Sequence, residues 1–180
     1  MKIKLKLLTF LFFIIIINNS LKAEIIFFES KNLKIENEGK MIFALKGKAK
    51  IPAEKISIQG DRSIYNKEMS ELLVVGNVKF FDNLNEIYIE SDQAVFNEIE
   101  NSFLASGITF IKIEDKYEIY TEDVLYDRNT MEISSNLSTS VLDNKNNIYI
   151  FEEGFLLETF EEVLSSKKTN ILDKERNNYI

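Results

Sequence analysis

Cysteine, histidine and tryptophan are missing from all 180 residues, proline occurs once, at Pro52, and glycine only six times. Without cysteine there is no disulfide framework, so the fold must rest on burial and strand pairing alone. Without histidine the commonest general base and the commonest transition-metal ligand disappear together. No Gly-rich phosphate loop and no nucleophile elbow is present either. Acidic residues are plentiful, 29 in all, and paired carboxylates run glycosidases. Here, however, they sit in sequence contexts that read as turns, where short acidic side chains bond their own backbone. A carboxylate calcium site near Glu152 and Glu153 lacks the spacing of any calcium loop. The expectation is a non-enzymatic chain with no metal and no cofactor.

What the chain does have begins with Lys2, Lys4 and Lys6, an apolar run from Leu7 to Ile17, and a polar stretch to Ala23. That order is a secretory signal over residues 1–23. The run falls short of the roughly 20 apolar residues of a spanning helix, so cleavage after Ala23 is expected over an uncleaved anchor, although Leu21 is large for the site. Removing 1–23 takes away four lysines and no acid, which moves the net charge from −7 to −11. A domain so acidic is not expected to bind nucleic acid, which demands a basic face. The remaining 157 residues suffice for one domain with a real core.

Self-similarity is the strongest signal. Ile56-Ser57-Ile58-Gln59-Gly60-Asp61, Ile87-Tyr88-Ile89-Glu90-Ser91-Asp92 and Glu118-Ile119-Tyr120-Thr121-Glu122-Asp123 align, and Ile148-Tyr149-Ile150-Phe151-Glu152-Glu153 follows, a beat of 30 or 31 residues. After each acidic corner comes an apolar or aromatic position: Tyr65, Phe96, Tyr126 and Leu157. Gly47, Gly76 and Gly107 precede β-branched stretches. Residues from Phe27 through Ile35 to Gly47 form a weaker first unit, with Lys31 at the corner, and the third unit lacks its glycine near Asn136. The stretch from Asp173 to Ile180 echoes Asp143 to Ile150, which suggests a further repeat beginning after residue 158 and a chain that continues.

Inside a unit the apolar residues alternate with period two, as in Leu72, Val74, Val78 and Phe80. Polar clusters at Asn66 to Ser70, Asn97 to Ser102, Asp82 to Asn85 and Glu114 to Lys116 give two turns, hence two strands, per unit. Only Thr159 to Lys168 has a helical pattern. Stacked units place Ile58, Ile89, Ile119 or Tyr120, and Ile150 in one apolar ladder, and Tyr65, Phe96, Tyr126 and Leu157 in another. Such ladders either pack as ordinary core or line a trough, for which the candidate residues are Ile58, Tyr65, Val74, Phe80, Ile89, Phe96, Ile111, Tyr126 and Ile150.

An acidic corner, an aromatic four residues on and a glycine before a β-branched residue, clearest at Asp61, Tyr65 and Gly76-Asn77-Val78 and repeated at Asp92, Phe96 and Gly107, resembles the OstA-like repeats of the lipopolysaccharide-transport family. The resemblance spans about Phe27 to Leu157. It implies an all-β, antiparallel jellyroll over residues 24–158, folded like a taco, with lipopolysaccharide acyl chains between its layers. It also implies partners that join by edge-strand addition, namely other jellyrolls of the transport bridge, and a place in the periplasm or at the outer membrane. The chain looks like either the LptA-type bridge protein or the amino-terminal jellyroll of the LptD-type outer-membrane protein. The competing architecture is a parallel β-helix, an adhesin or polysaccharide-cleaving enzyme, to which a period near 30 is also suited.

Overall fold

The computed structural model describes residues 26–159, 163–166, 169–172 and 178–179. The leader expected over 1–23 lies outside them. Among the described residues fourteen strands and one short 3-10 turn, Asn37–Gly39, account for the regular structure. β1 (Phe27–Glu36), β2 (Met41–Ile51), β3 (Ile56–Asn66), β4 (Glu71–Asp82), β5 (Ile87–Asn97), β6 (Ser102–Ile113) and β7 (Tyr117–Asp127) are long. After them come short strands: β8 (Glu132–Ser135), β9 (Thr139–Asp143), β10 (Ile148–Phe151), β11 (Phe155–Glu158), β12 (Val163–Ser165), β13 (Thr169–Leu172) and β14 (Asn178–Tyr179). Every pairing is antiparallel, and β1 to β7 pair strictly in chain order. That excludes the parallel β-helix. The expected helix over Thr159 to Lys168 is also overturned where it is described, because Val163–Ser165 pairs with β11 as a strand.

The acidic corners are not at the turns. Asp61, Asp92 and Asp123 lie in the middle of β3, β5 and β7, where the ladder slips: Gly76 and Asn77 together face the single residue Asp92, and Ser106 and Gly107 face Asp123. Such bulges bend a strand and sharpen its twist. Gly76 and Gly107 take the left-handed backbone region, φ +80° and +83°. A Cβ on Gly107 would stand 2.5 Å from Asp92 Oδ2, and one on Gly76 would stand 2.7 Å from Asp61 Oδ2. The acid of one strand and the glycine of the next are therefore two parts of one corner. Asn77 Nδ2 donates to Asp61 Oδ2 at 2.7 Å, and the Gly107 N–H donates to Asp123 Oδ1 at 2.9 Å.

Because each long strand bends at mid-length, the sheet folds over into two layers. The first layer holds residues 56–59, 78–82, 87–91, 108–113 and 117–121 with β9 and β10, and the second holds 62–66, 71–75, 93–97, 102–106 and 124–127 with β8 and β11. Phe80 of the first layer meets Phe103 of the second with ring centroids 4.2 Å apart, and Phe151 meets Phe155 at 5.3 Å.

Candidate functional site in the folded-over interior

Period-two alternation sends every second side chain inward, and pairing sets like beside like. In the first layer one inward row runs Phe28, Ala49, Ile58, Phe80, Ile89, Ile111, Ile119, Val141, Tyr149. In the second layer the facing row runs Ile35, Ile42, Tyr65, Leu72, Phe96, Phe103, Tyr126, Ile133, Leu157, Leu164. A third row beside the bend contains Val74, Ala94, Ala105 and Val124, small enough to let the layers close.

Of the nine residues singled out from the sequence, Ile58, Tyr65, Val74, Phe80, Ile89, Phe96, Ile111 and Tyr126 are buried between the layers. Ile150 is not in this row. It is aligned with Ser140, which also faces the half-exposed Tyr120, and the inward ladder passes through Tyr149 instead. The choice between Ile119 and Tyr120 resolves the same way, for Ile119. Phe103, Leu72 and Ile133 belong equally to the interior. Their signal was the second, intervening strand of each unit, which sits between successive repeat positions.

The lip, where the strand ends of the two layers meet, carries a polar clasp that the sequence pattern hid. Asp82, expected in a turn, ends β4 pointing inward, in line with Ile56 and Ile87. It accepts from Arg128 Nε at 2.8 Å, from the Tyr126 hydroxyl at 3.1 Å and from Asn85 Nδ2 at 2.8 Å. Arg128 Nη1 reaches Glu54 Oε2 at 2.9 Å and Asn101 Oδ1 at 2.5 Å. Side chains of both members of the central pair are almost completely buried. Burial alone would raise the Asp82 carboxyl, but its bonds to Arg128 and Asn85 win and hold it below the ordinary carboxylate value. Burial pushes the Tyr126 hydroxyl well up, and the neighbouring Asp82 charge adds to that. These bonds tie the end of β4 to the segment after β7, so the clasp is a strut between the layers.

Beyond the clasp, towards β8 and β11, the lip opens into a cleft of about 230 Å³ lined by Leu84, Ile113, Tyr117, Met131, Leu157 and Thr159 among others. Small-molecule pockets run from ~300 to ~1,000 Å³, so the cleft is a mouth and not a lipid-sized chamber. At the opposite end β1 is an open edge. Its inward-facing Leu33 and Ile35 are 46% and 58% exposed, and among the described residues no strand pairs with its outer side. Among the described residues no group of three acidic side chains is arranged to hold a metal, and no helix is long and apolar enough to cross a membrane.

No family model matches this sequence, and no curated protein matches it. Among solved structures, the chain is similar to crystalline LptH of Pseudomonas aeruginosa, the LptA-homologous periplasmic component of the conserved lipopolysaccharide transport device. The TM-score is 0.61 at 9% identity, over 68% of this chain and 96% of LptH. The fold is the LptA-like jellyroll. At so low an identity the likeness concerns backbone architecture alone. The folded-over antiparallel jellyroll that the OstA-like resemblance implied is thus the architecture observed.

Proposed function

We propose that this chain is a non-catalytic carrier in lipopolysaccharide transport and outer-membrane assembly, exported by a leader at residues 1–23 and working in the periplasm or at the outer membrane. Residues 24–158 would form the jellyroll proper, and 159–180 the start of a further repeat. The observation that carries the reading is the pair of inward apolar rows that cross β1 to β7 without a break and emerge, still apolar, at the exposed edge of β1. Acyl chains in water cost about 25 cal/mol per Å² of exposed apolar surface, and an interior of this kind removes that cost. Since the layers are packed shut at Phe80 and Phe103, a chain enters only if they part, starting from the cleft at Met131 and Leu157. The open β1 edge, with Leu33 and Ile35 uncovered, suits a second jellyroll added strand to strand.

A photo-crosslinking residue at Ile89, Phe96 or Ile111 in the exported protein tests this directly. The expected product is a lipopolysaccharide adduct from all three, with none from Ser134 on the outer face. Folded protein that yields no lipid adduct from the interior overturns the reading.

A further inference from the structure

The outer face of the second layer is apolar where it should be polar. An antiparallel sheet with one face on the core normally turns polar side chains to water on the other. Here Phe43, Ile64, Leu73, Val95, Leu104 and Leu125 stand side by side on six adjacent strands, β2 to β7, all on the outer side. Leu104 and Leu125 are 46% and 42% exposed. Five inter-strand steps at ~4.8 Å make a stripe about 24 Å long. A continuous apolar stripe of that extent marks a contact surface.

Its border names the chemistry of the contact. The outer row on the lip side reads Glu36, Met41, Asn66, Glu71, Asn97, Ser102, Asp127, Glu132, Glu158, with five acids and no base. The outer face of the first layer differs: Lys48, Lys50, Lys79 and Lys112 mix there with Glu90 and Glu118. An anionic lipid surface would be repelled by the acidic border. A second copy would bring the same acids, opposed among the described residues by Lys34 and Arg62 on the β1 side of the face and by Lys40 and Lys67 in the turns beside Met41 and Asn66.

We propose that this stripe docks an amphipathic helix of a protein partner, about 16 residues long at 1.5 Å per residue, with its apolar side on the leucines and lysine or arginine along the edge that meets Glu71, Asp127 and Glu132. The helix covers the outer face and leaves the interior rows untouched. It therefore does not depend on what the interior carries.

Two synthetic 16-residue helical peptides test it on the exported protein by fluorescence anisotropy, one with a leucine stripe edged by lysine and one with the same stripe edged by glutamate. The lysine-edged peptide is expected to bind about tenfold or more tightly than its counterpart, with a preference that fades as salt rises. The double substitution Leu104→Thr/Leu125→Thr, at exposed positions and with unchanged melting, should cost about tenfold in that affinity. Glu71→Gln/Glu132→Gln should erase the preference for lysine. Equal binding of both peptides, binding of neither, or binding that ignores the leucine substitutions overturns the proposal. So does stronger binding through the same leucines to vesicles of phosphatidylcholine with or without phosphatidylglycerol, or to a second copy in sedimentation.

Discussion

The long strands β3 to β7 and the short pairs β8/β9 and β10/β11 solve the same problem differently. In the first region the chain rounds the corner without leaving its ladder, because an acid in one strand faces a left-handed glycine in the next. In the second region the chain steps out of the ladder at residues 136–138 and 152–154, so that what would be one strand becomes two. The strand-to-strand segment at Asn136 has no glycine of its own, and Gly154, though left-handed at φ +84°, meets no carboxylate: its missing Cβ would stand 3.5 Å from the Ser135 carbonyl and 3.9 Å from the Asn136 Cα. Hydroxyls take over there. Ser135 Oγ donates to the Glu122 carbonyl at 2.7 Å, and Thr121 and Thr139 share a bond at 2.8 Å, holding the broken ends to β7. A bent sheet stays continuous only where backbone freedom and a partner for the exposed amides are both supplied. Losing one of them turns a bend into a break.

The clasp sits on the boundary between the two regions, since Arg128 follows β7 while Asp82 and Glu54 belong to the continuous part. Removing one member of a buried ion pair leaves the other uncompensated, so Arg128→Met is expected to cost about 3–5 kcal/mol in urea unfolding. Asp82→Leu combined with Arg128→Met should restore much of that loss, because apolar replacement of both partners avoids their desolvation. A single substitution costing under ~1 kcal/mol, the range of an exposed pair, would show that the regions are not joined there.

Corner glycines separate the regions at a smaller scale. Gly107→Ala and Gly154→Ala both force a side chain into the left-handed region, at about 1–2 kcal/mol each. Only Gly107→Ala also drives a Cβ against a carboxylate, that of Asp92. The loss at Gly107 should therefore exceed that at Gly154, and it should shrink when Asp92→Ala is present, in a thermal-melt double-mutant cycle. Equal losses with no coupling would mean that acid and glycine are not one device.

Much of this architecture was legible in the repeats. Period-two alternation and two turn clusters per unit gave the strands, and Tyr65, Phe96, Tyr126 and Leu157 do share one inward row. The corners were misplaced because an acid in a turn and an acid in a bulge look alike locally. The clue was the recurrent distance from Asp61 to Gly76 and from Asp92 to Gly107, which acquires meaning only once the strands are paired. Ile150 illustrates a different limit. The beat wavers between 30 and 31 residues, and a slip of one residue moves a side chain to the other face. The clasp was out of reach, since Asp82 and Arg128 stand at unrelated positions of different units and meet only when the layers fold together.

The smallest expected effect compares two carboxyls at the lip. Burial raises the Glu98 carboxyl despite the Tyr65 hydroxyl beside it, and its Oε1 has no hydrogen-bond partner. A raised folded value means that the neutral form suits the fold. This contribution to stability is complete below the unfolded value near 4.3 and disappears as pH rises through the higher folded one. Asp82 has the opposite sign. Its lowered value gives stability above the unfolded value near 3.9, which is lost as pH falls through the folded one. Melting followed from pH 8 downward should thus show a slight gain from Glu98 as pH falls towards the unfolded glutamate value, before the loss at Asp82 begins. Glu98→Gln should abolish the gain and leave the acid loss in place, and a variant that keeps the gain would place its source outside the lip.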